Sequence, residues 1–352
     1  MLYLMVDFVN KFLETQKILS GRQLADIQVV SMAEPLKPFF ESVNLYFMLL
    51  PFQVTKNVTL LGSELFNLYL VKGDTYAIVE GGVSALTYPF LEQLSQLNVP
   101  PESISHLVIL HSHFDHMMVF PTLKGRYPWM KIVSSDLNRG TFSSERILAK
   151  IFESDRKVTL ALKEERIISD APNLQPDASF PLDITVQEGS VLDLGKGVKM
   201  KFLEIPGHSP DCLGTFLEEE GLLFCSDGAG FYTPPDFFRP NYWYRLDDAE
   251  KSLDKMQAID PEILCRGHYG VTIGKELARK HLQMNRQSIE GFKAFVLEKI
   301  QAGWSVEEIA KDVTDRFSKG MLEFFPAEEK YRLWILLTHR TLEYFGIELD
   351  ER

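Results

Sequence analysis

The segment His111-Ser112-His113-Phe114-Asp115-His116 sets three imidazoles and a carboxylate within six residues, directly after the apolar run Leu107-Val108-Ile109-Leu110. A buried strand that ends in such a cluster is a strand that delivers metal ligands. If the extended chain continues past Leu110, its period of two points His111 and His113 the same way, and a turn at Phe114 brings Asp115 and His116 round to a second ion. For a single histidine, a surface position or a hydrogen-bonded core position would be the ordinary explanation. Here that explanation has to hold four times in six positions, so the segment predicts two adjacent metal sites fed by one loop.

The chain has only eight histidines, and the further donors stand where ligands are still needed. Gly207-His208 follows the alternating stretch Val198 to Ile205, Asp227 follows Leu222-Leu223-Phe224-Cys225, and Gly267-His268 follows Ile263-Leu264-Cys265. Each closes a strand-like stretch and is followed by turn chemistry. In this order the residues resemble the metallo-β-lactamase-fold hydrolases, whose HxHxDH, lone His, lone Asp and final GH step match residues 111–116, 208, 227 and 268. The resemblance covers roughly residues 51 to 275 and implies an α/β fold, an αββα sandwich. It further implies that one metal takes His111, His113 and His208, that the other takes Asp115, His116 and His268, and that Asp227 bridges them. Nitrogen and oxygen donors of this kind suit zinc or iron, with manganese also compatible, so two divalent metal ions are the expected cofactors.

Around that core the sequence divides into a 1–50 extension, a 51–275 catalytic domain and a 276–352 helical extension. The extension reads as a helix from Leu2 to Leu19 followed by Pro-punctuated apolar sequence. Val58 to Leu61, Leu65 to Val71 and Tyr76 to Glu80 read as strands parted by turn residues, and Pro89 to Leu97 as a short helix. A helical insertion is expected at 143–168. Past Gly274 the period becomes helical: Ile289, Phe292, Val296 and Ile300 share one face, Ser305 and Glu308 form a capping box, and a third helix after Pro326 carries Trp334, Leu337 and Tyr344. These helices either complete the core or form a lid over the metal cleft.

A net charge of −12 offers no general basic field for a phosphate backbone, so no nucleic-acid partner is expected. The longest apolar stretch, Val43 to Phe52, is too short to span a bilayer, and Met1 to Val9 lacks the basic start of a signal peptide. Three cysteines, an odd number, fit a reducing compartment rather than a disulfide framework. The expectation is a cytoplasmic protein without a membrane partner, with a homodimer left open. Cys212, Cys225 and Cys265 lie near proposed ligands but are read as packing.

Two metals sharing a hydroxide imply hydrolysis of an ester-type bond, with Asp115 both ligating and moving a proton. A small-molecule acyl substrate is expected, and the aromatic run from Phe231 to Tyr244 supplies its candidate contacts, Phe231, Tyr232, Phe238 and Trp243. Arg239, Arg245 and Arg266 either meet an anionic substrate or face solvent, and the solvent reading is favoured for each. The HSHFDH form, GHSPD, the GFKAF and FFPAEE stretches and the helical C-terminus further look like the aminobenzoylacetyl-CoA thioesterase of bacterial alkyl-quinolone biosynthesis, which implies an acyl-CoA-type thioester. Phe231 departs from that pattern, standing where an acidic residue is expected. The rivals are a small metallo-ribonuclease, a lactonase or glyoxalase-II-like enzyme, and a ligand-sensing or partner-binding module with structural metals. A flavodiiron reductase shares the fold, but has Glu where His113 stands and carries a flavodoxin domain for which this length leaves no room.

Overall fold

Strands that are apolar at every position must be covered on both faces, and those of this chain are. In a computed structural model that describes residues 50–175, 180–233 and 237–348, a seven-stranded sheet runs in sequence order. It comprises β1 (Phe52–Gln53), β2 (Val58–Gly62), β3 (Asn67–Lys72), β4 (Tyr76–Val79), β5 (Ile104–Val108), β6 (Lys131–Ser135) and β7 (Ile184–Val186). Its first four strands form an antiparallel meander, and β4 to β7 are parallel. The second sheet joins β8 (Val191–Asp193), β9 (Lys199–Glu204), β10 (Leu213–Leu217), β11 (Leu222–Ser226), β14 (Ile263–Arg266) and β15 (Val271–Ile273). A separate hairpin pairs β12 (Phe231–Thr233) with β13 (Phe237–Arg239). The expected helix Leu2 to Leu19 lies outside the described residues.

Period-two alternation sorts the core into three layers. On β3, Tyr69 and Val71 face the second sheet, where they meet Met200, Phe202 and Phe224. Leu68 and Leu70 face the other way, into a cluster shared with α1 (Thr87–Gln96), α2 (Phe120–Arg126) and α4 (Glu145–Glu164), the last entered from the short α3 (Asn138–Phe142). On β11 the same rule puts Phe224 between the sheets and Leu223 and Cys225 outward. The outward cluster is covered by α5 (Leu246–Ile259), α6 (Lys275–Gln301), α7 (Val306–Phe317) and α8 (Ala327–Tyr344). Helices on the outer faces of two stacked sheets make the expected αββα arrangement.

The expected capping box is present: Ser305 Oγ accepts from Glu308 N, and Glu308 Oε2 accepts from Ser305 N at 2.8 Å. Ile289, Phe292 and Val296 are buried on α6, and Trp334 and Leu337 on α8. These helices therefore complete the core of the second sheet, and α8 also reaches the cleft described below. Among the described residues no helix is long and apolar enough to cross a membrane.

Candidate metal centre

The first sheet stops short of the ligands. β5 ends at Val108 rather than running on through His111, and the chain bends before a 3-10 turn over Phe114–His116. The expected turn at Phe114 places Asp115 and His116, both buried, whereas the extended run expected to align His111 and His113 is not a strand. The other donors arrive on loops of the second sheet: His208 after β9, Asp227 after β11 and His268 after β14. Gly207 is obligatory at its step, because its φ is 136° and a Cβ there would lie 2.4 Å from the Ala249 backbone. Gly267 is needed for another reason, since its Cβ would lie 2.4 Å from His116 Cε1.

All seven sequence-selected donors converge. His113 Nδ1 lies 3.2 Å from His111 Nε2 and 2.9 Å from His208 Nε2, so three ring nitrogens face one point. Asp115, His116 and His268 form a second group, with His268 Nε2 3.6 Å and His116 Nε2 3.8 Å from Asp115 Oδ2. Asp227 stands between them. Its Oδ2 is 3.5 Å from His208 Nε2, and its Oδ1 is 3.4 Å from His268 Nε2 and 3.8 Å from His116 Nε2.

Outer partners fix which nitrogen faces inward. Ser226 Oγ holds His111 Nδ1 at 3.1 Å, the Asn241 carbonyl accepts from His208 Nδ1 at 3.1 Å, and the Leu65 carbonyl accepts from His268 Nδ1 at 2.6 Å. His116 Nδ1 donates to Glu80 Oε2 at 2.6 Å. Glu80 itself is buried with φ 68°, ahead of Gly81 and Gly82. A non-glycine residue in the left-handed region costs on the order of 1 kcal/mol or more, and here it aims a carboxylate at a ligand. Asp211 Oδ2 accepts from Ser112 N at 2.7 Å and so pins the HxH loop from the second sheet. Neither Glu80 nor Asp211 was singled out from the sequence; the signal available was an acidic residue closing a strand before two glycines, and the acid of GHSPD.

The donor set fits two divalent cations. His116 Nε2 and His268 Nε2 are buried without a hydrogen-bond partner, as ligand nitrogens must be before they meet a cation. Burial pushes the imidazoles of His111 and His208 down, the latter to about 4, which keeps them neutral as ligation requires. Burial also opposes charge on His116, but Glu80, Asp115 and Asp227 outweigh it and push that imidazole up to about 10. Burial raises Asp227, yet His268, His116, His208 and His113 together hold it well below the usual carboxylate range. The carboxylates thus demand positive charge at their centre, and a metal ion answers the demand that the protein's own groups meet with a proton on His116. The three buried thiols lie outside the ligand groups.

A cleft of about 470 Å³ opens onto His113, Asp115, His208 and Asp227. Phe114, Phe231 and Trp243 line it, as do Phe325 just ahead of α8 and, from α8 itself, Leu333 and Leu336 with the charged Glu329, Arg332 and Arg340. Trp243 lies over His208 and His113, with centroids 5.0 and 5.9 Å away. Of the four aromatic candidates, then, Phe231 and Trp243 line the cleft. Tyr232 and Phe238 pair across the β12–β13 hairpin and turn to the opposite face, against His281. The residue opposite Phe231 in register is Arg239. Arg239 and Arg266 are each 3% exposed, which corrects the expectation that they face solvent, whereas Arg245 is exposed and paired with Asp247.

Comparison with known proteins agrees with this geometry. The sequence matches the metallo-beta-lactamase superfamily over residues 67–268, a span that holds every gathered donor. It is 24% identical over 255 residues to a probable metallo-hydrolase of Bacillus subtilis, covering 68% of this chain and 78% of that protein. It is also 24% identical over 260 residues to a putative diflavin flavoprotein of Thermosynechococcus vestitus, with 68% of this chain and only 38% of that protein covered. Among solved structures, a metallo-beta-lactamase family protein from Thermus thermophilus superposes with a TM-score of 0.56 at 19% identity, over 84% of this chain and 95% of that one. An archaeal superfamily protein from Sulfolobus tokodaii gives 0.52 at 19% identity, over 82% and 99%. On the match across 67–268, and with its donors gathered as described, the chain belongs to the metallo-beta-lactamase superfamily.

Proposed function

We propose that this protein is a dinuclear-metal hydrolase of ester-type bonds, and that its substrate is an acyl-CoA-type thioester with a bulky apolar acyl group. One observation carries the dinuclear part: the two oxygens of Asp227 face two different nitrogen groups. His111, His113 and His208 would hold one divalent ion and Asp115, His116 and His268 the other, with zinc, iron and manganese all compatible donors' choices. Such ions, held there, would lower the pKa of a coordinated water towards neutrality and polarise a substrate carbonyl. The protein's own groups do the rest. Asp115, at the cleft wall, is placed to move a proton to the leaving group, and a thiolate leaving group needs little help. Phe114, Phe231, Trp243 and the leucines of α8 bury the acyl group and keep bulk water away; at roughly 25 cal/mol per Å² of buried apolar surface, an aromatic acyl group gains a few kcal/mol over acetyl.

The test is steady-state hydrolysis of benzoyl and acetyl thioesters by metal-loaded protein, beside RNA cleavage, lactone opening and oxygen consumption. Benzoyl thioester is expected to be preferred, His208→Ala to lose at least about a hundredfold in kcat/KM while staying folded, and Trp243→Ala to lose most of the benzoyl preference. Equal rates for both acyl groups, or near-wild-type turnover by His208→Ala under metal limitation, would sink the proposal. Oxygen consumption without thioester turnover would instead favour the oxidoreductase reading suggested by the diflavin relative.

A further inference from the structure

Arg332 and Arg340, the cations that line the cleft, are paired with Glu328 and Glu343, whereas Arg239, packed against two of the aromatic residues that line it, is buried with no ion pair among the described residues. It sits on the same face of the β12–β13 hairpin as its register partner Phe231, with its guanidinium carbon 4.1 Å from the Phe231 ring centroid and 6.0 Å from that of Trp243. Both rings line the cleft, and the guanidinium packs against them. Its Nη2 is buried without a hydrogen-bond partner, and among the described residues Arg239 makes no ion pair. A buried cation with an unpartnered donor is unfavourable, and stacking on two aromatic rings recovers only part of that cost. Burial pushes its pKa down to about 10, and the carboxylates that favour its charge are Asp227 and Asp115, both assigned to the metals. With two dications in place those carboxylates are spoken for, and Arg239 is left without a counter-ion.

We propose that Arg239 recognises an anionic group on the acyl half of the substrate, a carboxylate one aromatic ring removed from the reacting carbonyl. This rests on the reading of the cleft as an acyl pocket and narrows the class from bulky apolar acyl groups to those with an acidic far end. The geometry favours that end of the substrate: the Phe231 ring touches both the Arg239 guanidinium, 4.1 Å from its centroid, and the His268 ring, 5.1 Å centroid to centroid, so one ring links the guanidinium to the proposed ligands. A planar aromatic acid lying against Phe231 would set one carboxyl at the metals and the other at the guanidinium, where the fork of donors suits it.

The test compares two ligands that differ only at the far end, terephthalate and 4-carbamoylbenzoate, with their meta isomers as a second pair, by calorimetric titration of metal-loaded protein. Wild type is expected to bind the dianion of one pair at least tenfold more tightly than its monoamide. Arg239→Met is expected to lose that preference, and Arg239→Lys to keep part of it. No preference in wild type with either pair, or an equal preference in Arg239→Met, overturns the inference. A uniform weakening of acid and amide alike in Arg239→Met would show that the guanidinium only braces the aromatic wall, and overturns it too. Because binding is read without turnover, a protein that hydrolyses no thioester yet keeps an Arg239-dependent preference would remove the thioesterase reading and leave this one standing.

Discussion

Glu80 shows how much of this site lies behind the ligands. Its carboxylate takes the Nδ1 proton of His116, fixing the tautomer and the direction of the lone pair that faces Asp115 and Asp227. Glu80→Gln keeps an acceptor but removes the charge, so metal affinity at the Asp115, His116 and His268 group is expected to fall about 10- to 100-fold, with the three-histidine group less affected. Competitive titration against a chelator measures both sites, and unchanged affinity at the first would refute the assignment. The seven donors themselves were legible in the sequence because each closes an apolar run and is a residue type with few other reasons to be there. Glu80 was not, because nothing in a single glutamate announces a left-handed backbone or a partner 36 residues away. Tyr232 and Phe238 were expected at the cleft and Arg239 in solvent because composition marks a run as aromatic, whereas the register of the hairpin decides which side chains share a face.

The inserted helix α4 is tied to the turn that follows Glu80, Gly81 and Gly82 by one buried carboxyl. Asp155 Oδ1 accepts from Ser84 N at 2.7 Å and its Oδ2 from Ser84 Oγ at 2.5 Å, two residues beyond Gly82. Burial pushes its pKa up to about 6, against the help of those hydrogen bonds. A carboxyl whose folded pKa exceeds its unfolded value binds more protons in the native state, so its contribution is full below about pH 4 and is lost as pH rises to about 6. At about 1.4 kcal/mol per unit, the loss is on the order of 3 kcal/mol. Asp155→Asn is expected to remove that slope: denaturant midpoints measured from pH 4 to 7 should stay flatter in the variant than in wild type, and parallel curves would contradict the account. The helices themselves were legible to within a turn, α4 from a predicted 143–168 and α7 from its capping box, because amphipathic period and cap chemistry are local. Core and lid were both left open for the C-terminal helices; that α8 takes part in both was not legible, since it depends on how three helices stack on the second sheet.

At the scale of the whole molecule, the proposed centre is made by two halves that contribute different donors. The first sheet supplies residues 111–116 on one loop, and the second supplies His208, Asp227 and His268 on three. Direct bonds hold the halves in line: Tyr69 Oη and Asn67 Nδ2 donate to the Arg266 carbonyl at 2.6 and 2.8 Å, and Leu213 N donates to the Leu110 carbonyl at 2.8 Å. Metals bound between them add to that linkage, so stripping metal with a chelator is expected to lower Tm by at least about 5 °C, reversed on adding metal back, while the circular dichroism at 25 °C stays native. An unchanged Tm would mean that the donors do not bind metal across the sheets. The fold class followed from strand patterns and ligand order, but this alignment did not, because Asn67 and Tyr69 carry no mark of their partners almost 200 residues later. The separation has a consequence for how the protein matures. His208 lies 95 residues after His113, so during synthesis the first sheet leaves the ribosome with an unfinished three-imidazole site. On the proposed assignment the three-imidazole group is complete only once the second sheet has docked, so metal binding there would follow folding of both sheets rather than guide the first.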